Sequence, residues 1–78
     1  MEFKDIKSVY FVGAGGIGMS AIARYFIRKG VVVAGYDKTP SALTHQLERE
    51  GMLIHYEENV NEIPHACCDP KSCLVIYT

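Results

Sequence analysis

Six residues, Gly13-Ala14-Gly15-Gly16-Ile17-Gly18, stand between an apolar, β-rich run at Ser8 to Val12 and a stretch with helical periodicity. Glycines at 13, 15 and 18 spell G-x-G-x-x-G, which ties the chain to a strand, a tight turn and a helix in that order. Gly13 permits the turn. Gly15 lacks a Cβ, so a pyrophosphate can approach the main chain, and Gly18 lets the helix lie close to the sheet. The first N–H groups of that helix, with the positive end of its dipole, point at the ligand. The pattern predicts phosphate binding. The competing reading is that the glycines serve close packing alone.

The rest of the chain alternates in the same style. Ser8 to Val12 reads as a strand buried on both faces, as in a parallel sheet. From Gly16 to Lys29 the period is helical, with Gly18, Ile22, Tyr25 and Phe26 on one stripe. Arg28 and Lys29 suit the negative end of the dipole and Gly30 ends the helix. Val31 to Tyr36 is a second buried strand. Thr39 reads as the N-cap of a second helix with Pro40 at its first position and Ser41 as the alternative cap. That helix runs to Glu50 with Leu43 and Leu47 facing the core, and Gly51 stops it. Leu53 to Tyr56 is a short third strand. Glu57 to Ser72 is polar and broken by Pro64 and Pro70; it reads as loop with one helical turn near Asn61 to His65. Cys73 to Thr78 is a fourth apolar strand.

This order, β-α-β-α-β-loop-β, predicts the α/β class: a Rossmann-like three-layer domain with a mainly parallel sheet of about four strands. Right-handed crossovers give the strand order 3-2-1-4. A chain that stops on a core strand reads as a truncated piece of a longer domain.

Composition narrows the function classes. Hydrophobic residues make up 49% of 78 and charged residues 22%, which is globular material. A net charge of −1 with interspersed signs argues against a nucleic-acid surface, which needs a basic stripe. The opening Met1 to Lys7 is polar, so no signal peptide is read there, and no apolar run nears the about 20 residues of a membrane span. The expected compartment is the cytoplasm.

Asp37 ends the second strand about 20 residues past the glycine turn, where a carboxylate meets a ribose diol; otherwise it is a turn residue before Thr39. The same charge disfavours a 2′-phosphate. Ser20, in the first helical turn, has a hydroxyl for a phosphate oxygen or for a bond back to the helix carbonyls. Met19 reads as packing or a rim contact. His45 reads as exposed, and His55 as a satisfied surface histidine that could line the crevice. Tyr10, Tyr25, Tyr36, Tyr56 and Tyr77 read as core or half-buried aromatics. His65, Cys67, Cys68 and Cys73 put four soft ligands close together, but their spacing matches no standard zinc pattern. Reduced thiols in a connecting segment are the better reading. No nucleophile elbow, no Walker-type loop and no pair of carboxylates at a recognisable spacing is present, so no catalytic residue and no metal ligand is assigned.

The run Val9 to Ala23, with G-G-I-G-M-S at Gly15 to Ser20, resembles the opening of the Mur ligase family, in its branch that joins L-alanine to UDP-N-acetylmuramate. The likeness continues through Val33 to Asp37, Ser41 to Thr44, Leu47 and Gly51, and resumes at His55 and at Leu74 to Thr78. It implies a three-domain, ATP- and Mg2+-dependent ligase of peptidoglycan synthesis. Residues 1–78 would be part of the N-terminal, UDP-binding domain, without the central ATP-binding or the C-terminal domain. By this resemblance Gly13, Gly15, Gly16, Ile17 and Gly18 face the UDP diphosphate, Ser20 assists, and Asp37 faces the uridine. Tyr36 departs from the serine usual before that aspartate, and nothing transfers to Glu57–Ser72. The fragment itself would hold no cofactor and be inert. The alternatives are an NAD-binding domain of an oxidoreductase and a nucleotide-sensing module without chemistry; the glycine turn alone separates neither from the ligase.

Overall fold

A computed structural model of the chain describes residues 5–16 and 18–77. Strand β1 (Ser8–Val12) leads through the glycine turn to helix α1 (Met19–Arg28), followed by β2 (Val32–Tyr36) and α2 (Ala42–Arg49). Then come β3 (Leu53–His55), two 3₁₀ turns at Val60–Glu62 and His65–Cys68, and β4 (Cys73–Tyr77). Among the described residues the four strands form one sheet in the order β3-β2-β1-β4. Every pairing is parallel, with Tyr10 opposite Ala34 on one side and Val75 on the other. Both the α/β class and the strand order are those that the alternation and the right-handed crossover rule predict.

Period-2 alternation sorts the strands into two faces. Val9, Phe11 and Val33 meet Met19, Ala23 and Phe26 of α1, Leu47 of α2 and Met52. The two crossovers β1-α1-β2 and β2-α2-β3 run the same way across the sheet, so right-handedness puts both helices on this face. The return to β4 runs the opposite way and passes over the other face, where Tyr10, Ala34 and Cys73 are covered by Ile63 and Cys67. Prolines 64 and 70 break that return, so the third layer is made of 3₁₀ turns rather than a helix. Its cover is partial: Val12, Val32, Leu53 and Val75 on this face stay exposed.

Four local expectations change. Helix α1 starts at Met19, not Gly16, because Gly18 sits at φ 84°, a left-handed turn through which no right-handed helix continues. Its buried stripe is Met19, Ala23 and Phe26; Ile22 and Tyr25 lie on the exposed flank, because small Ala23 lets the backbone settle closest to the sheet. Tyr77 is also exposed rather than half-buried. Helix α2 takes Ser41, not Thr39, as its cap. Ser41 Oγ accepts the Thr44 N–H (3.1 Å) and Thr44 Oγ1 accepts the Ser41 N–H (2.8 Å), a reciprocal pair that Thr39 has no partner to make. Leu43 and Leu47 face the core as expected. Thr78 lies outside the described residues, and no described helix is long and apolar enough to cross a membrane.

Candidate functional site

The glycine turn sits at the carboxyl end of β1. Its neighbours β2 and β4 are reached by crossovers on opposite faces, so the crevice at this end of the sheet is a topological switch point. The Gly13 and Ala14 N–H groups both donate to the Tyr36 carbonyl (2.8 and 3.0 Å), which extends the β1–β2 pairing past the strand ends. Gly13, at φ 86°, then turns the chain back. The Gly16 N–H donates to Gly13 O (2.9 Å), and the Met19 N–H to Gly16 O (3.1 Å). The turn therefore holds its own shape. Ile17, one of the five turn residues assigned from sequence, lies outside the described residues.

Asp37 is drawn into the same turn. Its Oδ2 accepts the Gly15 N–H at 2.6 Å and its Oδ1 accepts the Thr39 N–H at 2.9 Å. One carboxylate thus joins the glycine turn to the β2–α2 connection. Gly15 is glycine for a reason beyond ligand approach: a Cβ there would lie 2.8 Å from Asp37 Oδ2 and 3.1 Å from Thr44 Cγ2. Of the two roles posed for Asp37, the turn role before Thr39 is formed.

The two helix N-termini differ. That of α2 is closed by its Ser41–Thr44 box. That of α1 has no side-chain cap and no acidic residue in its first turn. Its partial positive charge is left to whatever anion approaches. Among the described residues Ser20 Oγ makes no hydrogen bond. Met19 is buried and packs in the core.

Beside Asp37, on the loop-covered face, a cleft of about 280 Å³ is lined by Tyr10, Val12, Tyr36, His55, Val60 and Ile63, with Glu58 and Asn59 at its rim. His55 Nδ1 lies 2.9 Å from the Glu57 carbonyl, which can only accept, so Nδ1 carries the proton. Nε2 then accepts from the Tyr10 hydroxyl at 2.5 Å. The Tyr36 and His55 rings meet with centroids 5.4 Å apart. Burial raises the Tyr10 phenol above its ordinary value, helped by Cys67 and Tyr36. Burial likewise raises Tyr36, with Glu58 and Asp37 adding to it. His55 is thus both satisfied and part of the crevice wall, and His45 is exposed, edge-on to Tyr56.

Two members of this region escape a reading of the sequence. Thr44 is fully buried and packs against Gly15; the S-x-x-T spacing from Ser41 was its signal. The Tyr10–His55 bond spans 45 positions and had none. Among the described residues no group of three or more His, Cys, Asp or Glu side chains is placed to hold a metal ion.

Residues 8–78 match the family model described as Mur ligase family, catalytic domain. The chain is 58% identical over all its 78 residues to a UDP-N-acetylmuramate–L-alanine ligase of Phocaeicola vulgatus, of which it covers 17%. It is 58% identical over 78 residues to the enzyme of that name from Flavobacterium johnsoniae, again 17% of that protein. With that of Porphyromonas gingivalis it shares 55% over 73 residues, which is 94% of this chain and 16% of the relative. The chain therefore spans about a sixth of the length of these curated relatives.

Proposed function

The chain belongs to the Mur ligase family, and from that premise we propose that it is the UDP-binding part of a ligase that joins L-alanine to UDP-N-acetylmuramate in peptidoglycan synthesis. The observation that carries this reading is the 58% identity, over the whole chain, to proteins bearing that enzyme's name. The geometry supports it: a glycine turn at a switch point, beside a helix N-terminus with no internal anion, suits a diphosphate.

In this reading Gly13, Gly15, Gly16, Ile17 and Gly18 present main chain to the diphosphate, and Ser20 adds its hydroxyl. Asp37 faces the uridine side. Because Asp37 already holds the Gly15 N–H, entry of the diphosphate exchanges that bond: the phosphate oxygen takes the amide and the carboxylate turns to a ribose hydroxyl. The Tyr36 and His55 rings offer flat surfaces next to Asp37 for the base. In the whole ligase ATP would supply a phosphoryl group to the substrate carboxylate, and Mg2+ would neutralise the phosphates. The residues described here match neither task, and residues 1–78 alone are expected to show no ligation. The proposed compartment is the cytoplasm.

The test is a titration of the labelled chain with UDP-N-acetylmuramate and, separately, with NAD, followed by backbone amide shifts. Shifts at Gly15 to Ser20 and at Asp37 with the UDP-sugar, and none with NAD, are expected. The same shifts with NAD alone would sink the ligase reading in favour of a dinucleotide site.

A further inference from the structure

The fold brings two of the three cysteines together. Cys67, in the second 3₁₀ turn, packs against the cluster of Tyr10, Ala34 and Cys73, while Cys68 is exposed. The segment between them is built as a tight return. Ser8 Oγ, from the buried start of β1, donates to Ala66 O at 2.8 Å and pins the turn to the sheet. The Cys67 N–H donates to Pro64 O at 2.9 Å. Asp69 O then accepts the Ser72 and Cys73 N–H groups (3.1 and 3.0 Å), and its carboxylate accepts the Lys71 N–H and the Ser72 hydroxyl (2.9 and 3.2 Å). This returns the chain so that Cys67 packs against the cluster that holds Cys73. Burial first, then the neighbouring Cys73, pushes the Cys67 thiol up to about 11. Two thiols packed in one cluster can be joined by a bond between their sulfurs.

We infer that Cys67 and Cys73 are a thiol–disulfide site: a small-molecule disulfide oxidises them to an intramolecular bond that staples the 3₁₀ return to β4. Cys67 is the entry thiol, being half-buried where Cys73 is 7% exposed. Its thiolate, having lost its proton to solvent, attacks one sulfur of the small disulfide. One thiolate leaves and takes up a proton. The Cys73 thiolate then attacks Cys67 Sγ in the mixed disulfide and expels the second thiolate. Two protein thiols are oxidised and one small disulfide becomes two small thiols, with no other reactant. The bond would lie under Tyr10 and next to Ile63, and so fix one wall of the cleft. This inference stands on the loop-covered face alone and does not depend on the ligand of the glycine turn.

The sequence supplies a clean assay. Trypsin cuts after Lys71 and separates the peptide holding Cys67 and Cys68 from the one holding Cys73. The protein and its Cys68→Ser variant are incubated with excess oxidised glutathione, alkylated with iodoacetamide and digested without reductant. Both are expected to give the two peptides joined, two hydrogens lighter than their sum, at a rate independent of protein concentration. Cys73→Ser is expected to stop at the glutathione mixed disulfide on Cys67. From pH 7.5 to 9.5 the rate in Cys68→Ser should rise more steeply than the roughly tenfold expected of a thiol of ordinary pKa about 8.5, because burial raises the Cys67 thiol. Only mixed disulfides in Cys68→Ser, or a rate proportional to protein concentration, would overturn the site. A mixed disulfide trapped on Cys73 rather than on Cys67 in Cys68→Ser would overturn the order of attack.

Discussion

On the helix-covered face of the sheet the buried side chains are almost all hydrocarbon or thioether: Val9, Phe11, Val33, Met19, Ala23, Phe26, Leu47 and Met52. On the opposite face they are Ser8, Tyr10, Ala34 and Cys73, closed by Tyr36, Ile63 and Cys67 and tied by hydrogen bonds to Ala66 O and His55. One face is held by area and shape, the other by directed bonds between residues far apart in sequence. The phenols of Tyr10 and Tyr36 and the thiol of Cys67, all raised by burial, lie on the second face. The comparison teaches that a parallel sheet can be closed on one side by a non-directional core and on the other by a titratable one.

Removing what holds each face, bulk on one and a directed bond on the other, is the strongest way to break that comparison. Phe11 is fully buried, so Phe11→Ala should cost about 3–5 kcal/mol, read from the urea midpoint. Tyr10→Phe keeps the ring and deletes only the bond to His55, and should cost about 1 kcal/mol. Equal losses would mean that the loop-covered face holds the sheet as firmly as the helices do.

Next in size are the changes at the glycine turn. Gly15→Ala places its Cβ 2.8 Å from Asp37 Oδ2 and expels the carboxylate from the Gly15 N–H, a charged hydrogen bond of about 2 kcal/mol. Gly18→Ala meets nothing within 4 Å and pays only for its φ of +84°, about 1 kcal/mol. Ser41→Ala removes the α2 cap and should cost about 1 kcal/mol, while Thr39→Ala leaves the helix capped. Amide exchange in the first turn of α2 distinguishes the last two.

The same contrast explains what could be read from the sequence. The helix-covered face follows from periods of 2 and 3.6, so β1, β2, β4, Leu43 and Leu47 fall where the pattern puts them. The α1 stripe slips by one position because Ala23, a small residue, carries little weight in a hydrophobic pattern yet sets the closest approach. The Ser41 cap depended on a partner three residues on. In the candidate site the glycine turn and Asp37 were legible, since strand, turn and helix follow one another locally. The Asp37–Gly15 bond was not, because side-chain direction is absent from spacing. The loop-covered face was least legible: Ser8 with Ala66 and Tyr10 with His55 are pairs 58 and 45 positions apart.

Alkali should sharpen the difference between the faces more gently. The Tyr10 and Tyr36 phenols are raised above 10.0, so the folded state holds their protons longer than the unfolded chain. The stability this gives is complete below pH 10 and is lost as pH rises through the higher folded values. The urea midpoint should therefore fall above pH 10, and fall less in Tyr10→Phe. Exchange should accelerate first around Ile63 to Cys68 and last in β1 and β2. Simultaneous acceleration would mean that the two faces unfold as one unit.

The smallest effect expected lies outside both faces. Arg24 grips Glu50 with Nε–Oε1 at 2.8 Å and Nη2–Oε2 at 3.1 Å, joining α1 to the end of α2 over the surface. The hydrogen bond from Arg24 holds the Glu50 carboxyl below its usual 4.5. A depressed carboxylate contributes stability above its unfolded value and loses it as pH falls through the folded one, so the contribution of this pair is present at neutral pH and fades on the acid side. Both side chains are about a third exposed, and water and salt screen them. Arg24→Gln should therefore shift the midpoint slightly at low salt and neutral pH, and progressively less in 1 M salt or as pH falls below 4.5. A shift that survives both conditions would mean that the Arg24 stem, rather than its charge, holds the helices together, which would extend the non-directional face out to the rim of the molecule.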